Sequence, residues 1–244
     1  MVVASLGPSD AGGSVVVGLS RPVGDSAARQ NDGILRHMGA NDTLERLPMT
    51  AGYFRLILRG FGDTAERRAA LLDGTGVTEA MARDRSADIS LFQQVRQVDN
   101  VVALDGDGWA VRAPQLWGPS AHGALGVAAL AATDVAGMME VIARYGPVRA
   151  PFHVMALRRG ASWSRLDYEL TVPIDERLWR PMTEISFLGV RALLASVLTA
   201  PPAEARFEFA CAEPDHAGEV RAALGEVAWG APRNAVRFPS AWLA

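Results

Sequence analysis

Apolar and polar positions divide the chain into stretches of different rhythm. From Met1 to about Met49 the residues are rich in Gly, Ser, Asp and Asn and hold no sustained period. That predicts a flexible leader over 1–49, open to proteases and dispensable for folding. From Thr50 the rhythm turns helical. "TAGYFRLILRGFG" predicts a short apolar helix ending at Gly60 or Gly62, and "DTAERRAALLDGTG" a second one capped by Asp63 or Thr64 and stopped at Gly74. "VTEAMARD" is a brief third piece. In "SADISLFQQVRQVDNVVAL", Ile89, Phe92, Val95 (or Arg96) and Val98 fall roughly on one face behind a cap at Ser86 or Asp88. "DGDGWAVRAPQLWGPSAHGALG" then interrupts with Gly and Pro and reads as a surface or rim loop. A helical hairpin follows, Ala-rich from His122 to Ala132, then "VAGMMEVIARY" capped at Thr133-Asp134 and stopped by Gly146-Pro147.

Beyond Pro151 the period shortens to two. "FHVMALRRG" and "SWSRLDYELTV" read as strands joined by a turn at Arg159 to Ser162. In the second, Ser164, Leu166, Tyr168, Leu170 and Val172 alternate with Trp163, Arg165, Asp167, Glu169 and Thr171. Leu178, Met182, Ile185, Gly189 and Ala192 then mark a longer amphipathic helix from Asp175 or Pro181 to Leu198. It is expected on the dry sheet face, with Gly189 allowing close approach to the sheet. "EARFEFAC" alternates again with Phe207, Phe209 and Cys211 on one side, followed by an Asp215-capped helix to Leu224. Val227 to Trp229 and Ala235 to Phe238 flank a Gly/Pro/Asn cluster, the pattern of a closing hairpin. Helices followed by ββαβαββ with short turns predict an α+β fold whose sheet is mainly antiparallel.

Composition narrows the function classes. A net charge of -3 over 244 residues gives no electrostatic reason for this chain to hold a nucleic-acid backbone. All its basic side chains are Arg, which carries little functional weight. The single cysteine, Cys211, cannot form an internal disulfide or a Cys-rich metal site and suits a reducing cytosol. The N-terminal stretch lacks the unbroken apolar core of a signal peptide, and Gly123 to Ala132 falls short of the ~20 residues of a membrane span. A cytoplasmic location without membrane attachment is expected.

No catalytic constellation emerges. Cys211 has no His or Asp paired with it in sequence and reads as a small core residue. "DGDG", Asp105 to Gly108, lacks the later ligands of a calcium loop and reads as a plain turn. His37, His122, His153 and His216 never occur at metal-ligand spacing, so neither a metal nor a cofactor is expected.

The run from Tyr53 to Ala244 resembles the N-terminal effector-sensing, arabinose-binding-like domain of AraC-type bacterial transcription regulators. The resemblance is carried by "HGALGVAALAATDVAGMMEVIARY", the hairpin from Phe152 to Val172, the helix after it, "RFEFACAEP" and "VAWGAPRNAVRFPSAWL". It implies that residues 50–244 sense a small organic effector, pair as a homodimer, or both, and carry out no chemistry. It also implies that DNA is reached only through a helix-turn-helix domain that this chain lacks. A second resemblance, to haem- or gas-sensing domains of helices-then-sheet order, makes His122 a candidate axial ligand, its plainer role being a capping or rim residue. A small-molecule enzyme is the third reading.

An effector pocket is expected where the helix from His122 to Val127 meets the sheet. His122, Gly126, Tyr145, Phe152, Val154, Tyr168, Phe187 and Arg191 are the candidate ligand-binding residues, Arg191 being either an anchor for an acidic group or, its plainer role, part of a solvated helix face. Self-association is expected through Val135, Met138, Met139 and Ile142.

Overall fold

The computed structural model describes residues 44–84 and 86–243. Most of the expected leader lies outside the described residues. Its last six positions do not, and there Leu44 and Met49 are buried. Strand β1 (Pro48–Thr50) pairs antiparallel with β2 (Asp88–Ser90), a small two-stranded sheet that the sequence pattern did not announce.

Between these strands run α1 (Gly52–Phe61), α2 (Ala65–Leu72) and α3 (Glu79–Arg83). The side chains of Thr64 and Thr78 cap α2 and α3 by accepting from backbone N–H groups that have no helical partner. Helix α4 (Leu91–Asp105) starts at Ser90, not at Ser86 or Asp88. The chain is still extended at 88–90, and Ser90 with Gln93 forms a reciprocal capping box. From α4, Asn100 donates to the carbonyls of Leu71 and Asp73 at 3.2 and 2.8 Å, closing the C-terminal end of α2.

The Gly/Pro-rich stretch after α4 is a buried wedge, where a surface loop was expected. It holds α5 (Trp109–Arg112) and two 3-10 turns, Pro114–Trp117 and Pro119–His122. Trp109 and Trp117 are both fully buried, and the Trp117 indole donates to the Ala110 carbonyl at 2.8 Å. Gly108, at φ +82°, makes the turn into α5 that a side chain would strain. Burial of side chains this large gives a polar-looking segment an apolar anchor.

Helices α6 (Ala124–Leu130) and α7 (Val135–Arg149) form the expected helical hairpin, capped at Asp134. Helix α7 runs through Gly146-Pro147 to Arg149, past the expected stop. The proline ring still forfeits one backbone donor, and Gly146 ahead of it has no Cβ to strike that ring. The face proposed for self-association is core: Val135, Met138, Met139 and Ile142 are at most 3% exposed, and α7 packs on α6 and β3.

The main sheet has the order β3-β4-β7-β5-β6, from β3 (His153–Arg158), β4 (Trp163–Leu170), β5 (Arg206–Glu208), β6 (Glu226–Ala228) and β7 (Asn234–Pro239). The fold is α+β with the predicted ββαβαββ succession, and every pairing in this sheet but β5–β6 is antiparallel. The closing hairpin is not formed. The strands β6 and β7 have β5 between them, because β5 runs into α9 (Ala217–Leu224) and returns as a parallel neighbour, while β7 fills the gap beside β4. Helix α9 begins at His216 without a side-chain cap, so Asp215 does not play that part.

Helix α8 (Glu176–Val197), capped by the Asp175 carboxylate, lies on the inner sheet face. Its Phe187 sits 6.2 Å from Tyr168, 5.6 Å from Phe207 and 4.9 Å from Phe209, joining β4 to β5 and the residues just after it. Withdrawing such a side chain from water is worth about 2–3 kcal/mol. About one turn before Phe187 in α8 a buried Glu184 meets His216 at 2.8 Å, tying α8 to the start of α9.

Candidate functional site

The helical layer and the sheet enclose a small, mainly apolar cavity where six elements converge, α6 contributing Leu125. Tyr53 comes from α1, His122 from the second 3-10 turn, Ile142, Gly146 and Arg149 from α7, His153 and Met155 from β3, and Ser186, Gly189, Val190 and Leu193 from α8. The cavity is about 30 Å³, room for a water molecule or two. Leu125 and Arg149 line both this cavity and a far larger open groove of about 1650 Å³ that runs over α1, α3 and α6. These two side chains form the wall between the spaces.

Each polar group is held by its element. The close approach at Gly189 is made by the His122 imidazole and not by the sheet, since a Cβ at Gly189 would collide with that ring. The Tyr53 hydroxyl meets His122 Nδ1 at 2.7 Å, while Nε2 has no partner. His153 is 5% exposed, with neither ring nitrogen hydrogen-bonded among the described residues. Its ring stacks on Tyr168 at 4.7 Å. Beside the Tyr168 hydroxyl stand the Thr183 and Ser186 hydroxyls, which donate to the α8 carbonyls of Trp179 and Met182 and keep lone pairs to accept from it.

Burial sets the protonation states. Desolvation lowers His122 and His153 from 6.5 to about 4, so both are neutral at physiological pH, with the His122 charge adding to the effect on His153. Burial likewise raises Tyr53 and Tyr168. Arg149 is lowered, first by burial and then through repulsion by Arg55, with the Tyr53 ring 4.0 Å beneath its guanidinium.

Of the residues expected at a pocket, only His122 lines this cavity. Tyr168 lies one layer behind, against His153, and Phe152 flanks the same imidazole at 5.1 Å. Phe187 is a further layer down. Tyr145 is 46% exposed and lines the outer groove. Val154 points to the opposite face of β3 from His153 and is 41% exposed. Gly126 packs on the Pro119 carbonyl, where no side chain fits. Arg191 donates to the Leu224 carbonyl at 3.2 Å and caps α9, so it serves that helix end and the cavity's arginine is Arg149. Tyr53, Arg149 and His153 line the cavity and were not among the expected residues. The β4 alternation pointed to His153, because Tyr168 faces Met155 across the strands and Met155 shares a face with His153.

A porphyrin has no room beside His122 in a cavity of this size. Among the described residues no group of three or more His, Cys, Asp or Glu side chains could hold a metal, and no helix is long and apolar enough to cross a membrane. Helices laid on one face of a mixed sheet, with a small chamber between the layers, define an α+β binding domain. The chain belongs to the family described as the arabinose-binding domain of AraC transcription regulators, N-terminal, whose model matches residues 67–244. That is a ligand-sensing part of a transcription regulator and not an enzyme family. Tyr53 and Arg55 lie ahead of the matched segment. No curated protein matches the chain.

Proposed function

We propose that a small organic effector binds at the junction of the outer groove and the buried chamber, and that its binding is the signal this regulator domain senses. The observation supporting this is the set of buried polar atoms without partners, His122 Nε2 and both nitrogens of His153, gathered at one chamber. An unpartnered buried polar group costs about 1–3 kcal/mol, so a ligand that satisfies them recovers free energy at the moment of binding. The chamber is too small for an effector as it stands. Displacing the half-buried Leu125 joins it to the groove, which makes occupancy and rearrangement of α6 a single event.

A thermal-shift screen of small acids, sugars and amides tests this. At about a hundredfold over its dissociation constant a true effector stabilises the domain by about 2.7 kcal/mol. The Leu125→Trp variant, which plugs the junction from a tolerant half-exposed position, melts cooperatively and loses the response. Compounds that stabilise the parent and Leu125→Trp equally bind elsewhere, and the proposal fails.

A further inference from the structure

We infer that the effector is a small organic carboxylate, bound as its anion by Arg149; this rests on the chamber-and-groove site proposed above. Arg149 ends α7 and sits in the wall between chamber and groove. Its guanidinium touches the Thr50 hydroxyl, the Ala121 carbonyl at 3.4 Å and the face of Tyr53. Those contacts are all neutral. Among the described residues no carboxylate comes within salt-bridge reach of it, whereas arginines in more exposed places, such as Arg67, Arg158, Arg206 and Arg221, each have one.

A partly desolvated guanidinium without a counter-ion is costly, and the cost is relieved by an anion that takes two of its donors at once. The surroundings reinforce the sign. Arg55 lines the same groove close enough to repel Arg149, and the groove wall carries five arginines against two carboxylates. Those two, Asp63 and Glu79, are already engaged with Arg67, Arg68 and Arg83. A carboxylate held at Arg149 directs the rest of its molecule past Leu125 towards His122 and His153. Both imidazoles are neutral, so the inner end of the ligand carries no charge.

Butyrate and butyramide are the probes, titrated at constant ionic strength and followed by melting temperature and by the NMR signal of the Arg149 Nε–H. The inference expects a saturable response to butyrate, at least tenfold weaker for butyramide, with the Arg149 resonance moving only for the acid. In Arg149→Met the acid loses its advantage, and Arg149→Lys keeps part of it. The acid–amide contrast is measured on the unaltered protein and stands whether or not the variants fold. A chamber that takes acid and amide equally, with both responses lost in Leu125→Trp, leaves the sensing site standing and overturns the carboxylate assignment. No saturable response to butyrate, or an undiminished one in Arg149→Met, overturns it as well.

Discussion

Replacing His153 by Phe is expected to make the domain less sensitive to acid, and by a calculable amount. Both chamber histidines have folded-state values near 4, below the 6.5 of an exposed imidazole. As pH falls, the unfolded chain therefore takes up protons first. Stability is intact above about pH 6.5 and drains away as the pH drops through 6.5 towards 4. At pH 5 the linkage relation gives a loss of about 2 kcal/mol for each histidine, about 4 kcal/mol for the pair. The Phe ring keeps the contacts with Tyr168 and Phe152 while removing two unpartnered nitrogens, so the variant should match or exceed the parent at pH 7.5. Urea denaturation followed by Trp fluorescence at pH 7.5 and pH 5 supplies the comparison. The parent should lose about 2 kcal/mol more than His153→Phe between the two conditions, since acid effects elsewhere are shared. Equal losses would refute the reasoning, because they would mean that His153 already accepts a proton inside the fold.

Two further outcomes follow from the packing. Gly126→Ala drives a methyl group into the Pro119 carbonyl, a backbone atom that cannot step aside, and should destabilise the domain by about 3 kcal/mol in a melting experiment; a neutral result would mean that α6 shifts freely against the 3-10 turn. Cys211 is 3% exposed, with burial pushing its thiol up to about 11, so native protein should resist iodoacetamide at pH 8 and react only in denaturant, as read by mass spectrometry.

The sequence made elements legible wherever local chemistry decides them. Strand β4 shows strict alternation, and α8 announces itself through the Asp175 cap and its apolar spacing. The partner of β6 was not legible, because a turn-rich gap of five residues looks the same whether the flanking strands pair or are separated by a third. The wedge around Trp109 and Trp117 was misread for a related reason: glycines and prolines advertise a turn, but burial of the tryptophans between them is decided by distant helices. At the site, Val154 falls on the outward face of β3, one residue from His153, because successive strand side chains turn to opposite faces, whereas Phe152 is buried against the His153 ring. Arg149 could not be recognised from sequence, since its place in the wall between chamber and groove and its lack of a nearby carboxylate, which Arg191 shares, are properties of the folded surroundings.

The central position of β7 has a consequence for how the chain is made. Among the described strands β7 leaves the ribosome last, yet it is hydrogen-bonded on one side to β4 and on the other to β5. Until residues 234–239 emerge, the β3–β4 hairpin and the β5–α9–β6 unit are separate pieces, each presenting a bare strand edge to any neighbouring nascent chain. Synthesis that stalls shortly before Asn234 leaves two exposed edges in place of a smaller working sheet, so premature termination there should deliver the product to aggregation or to proteases.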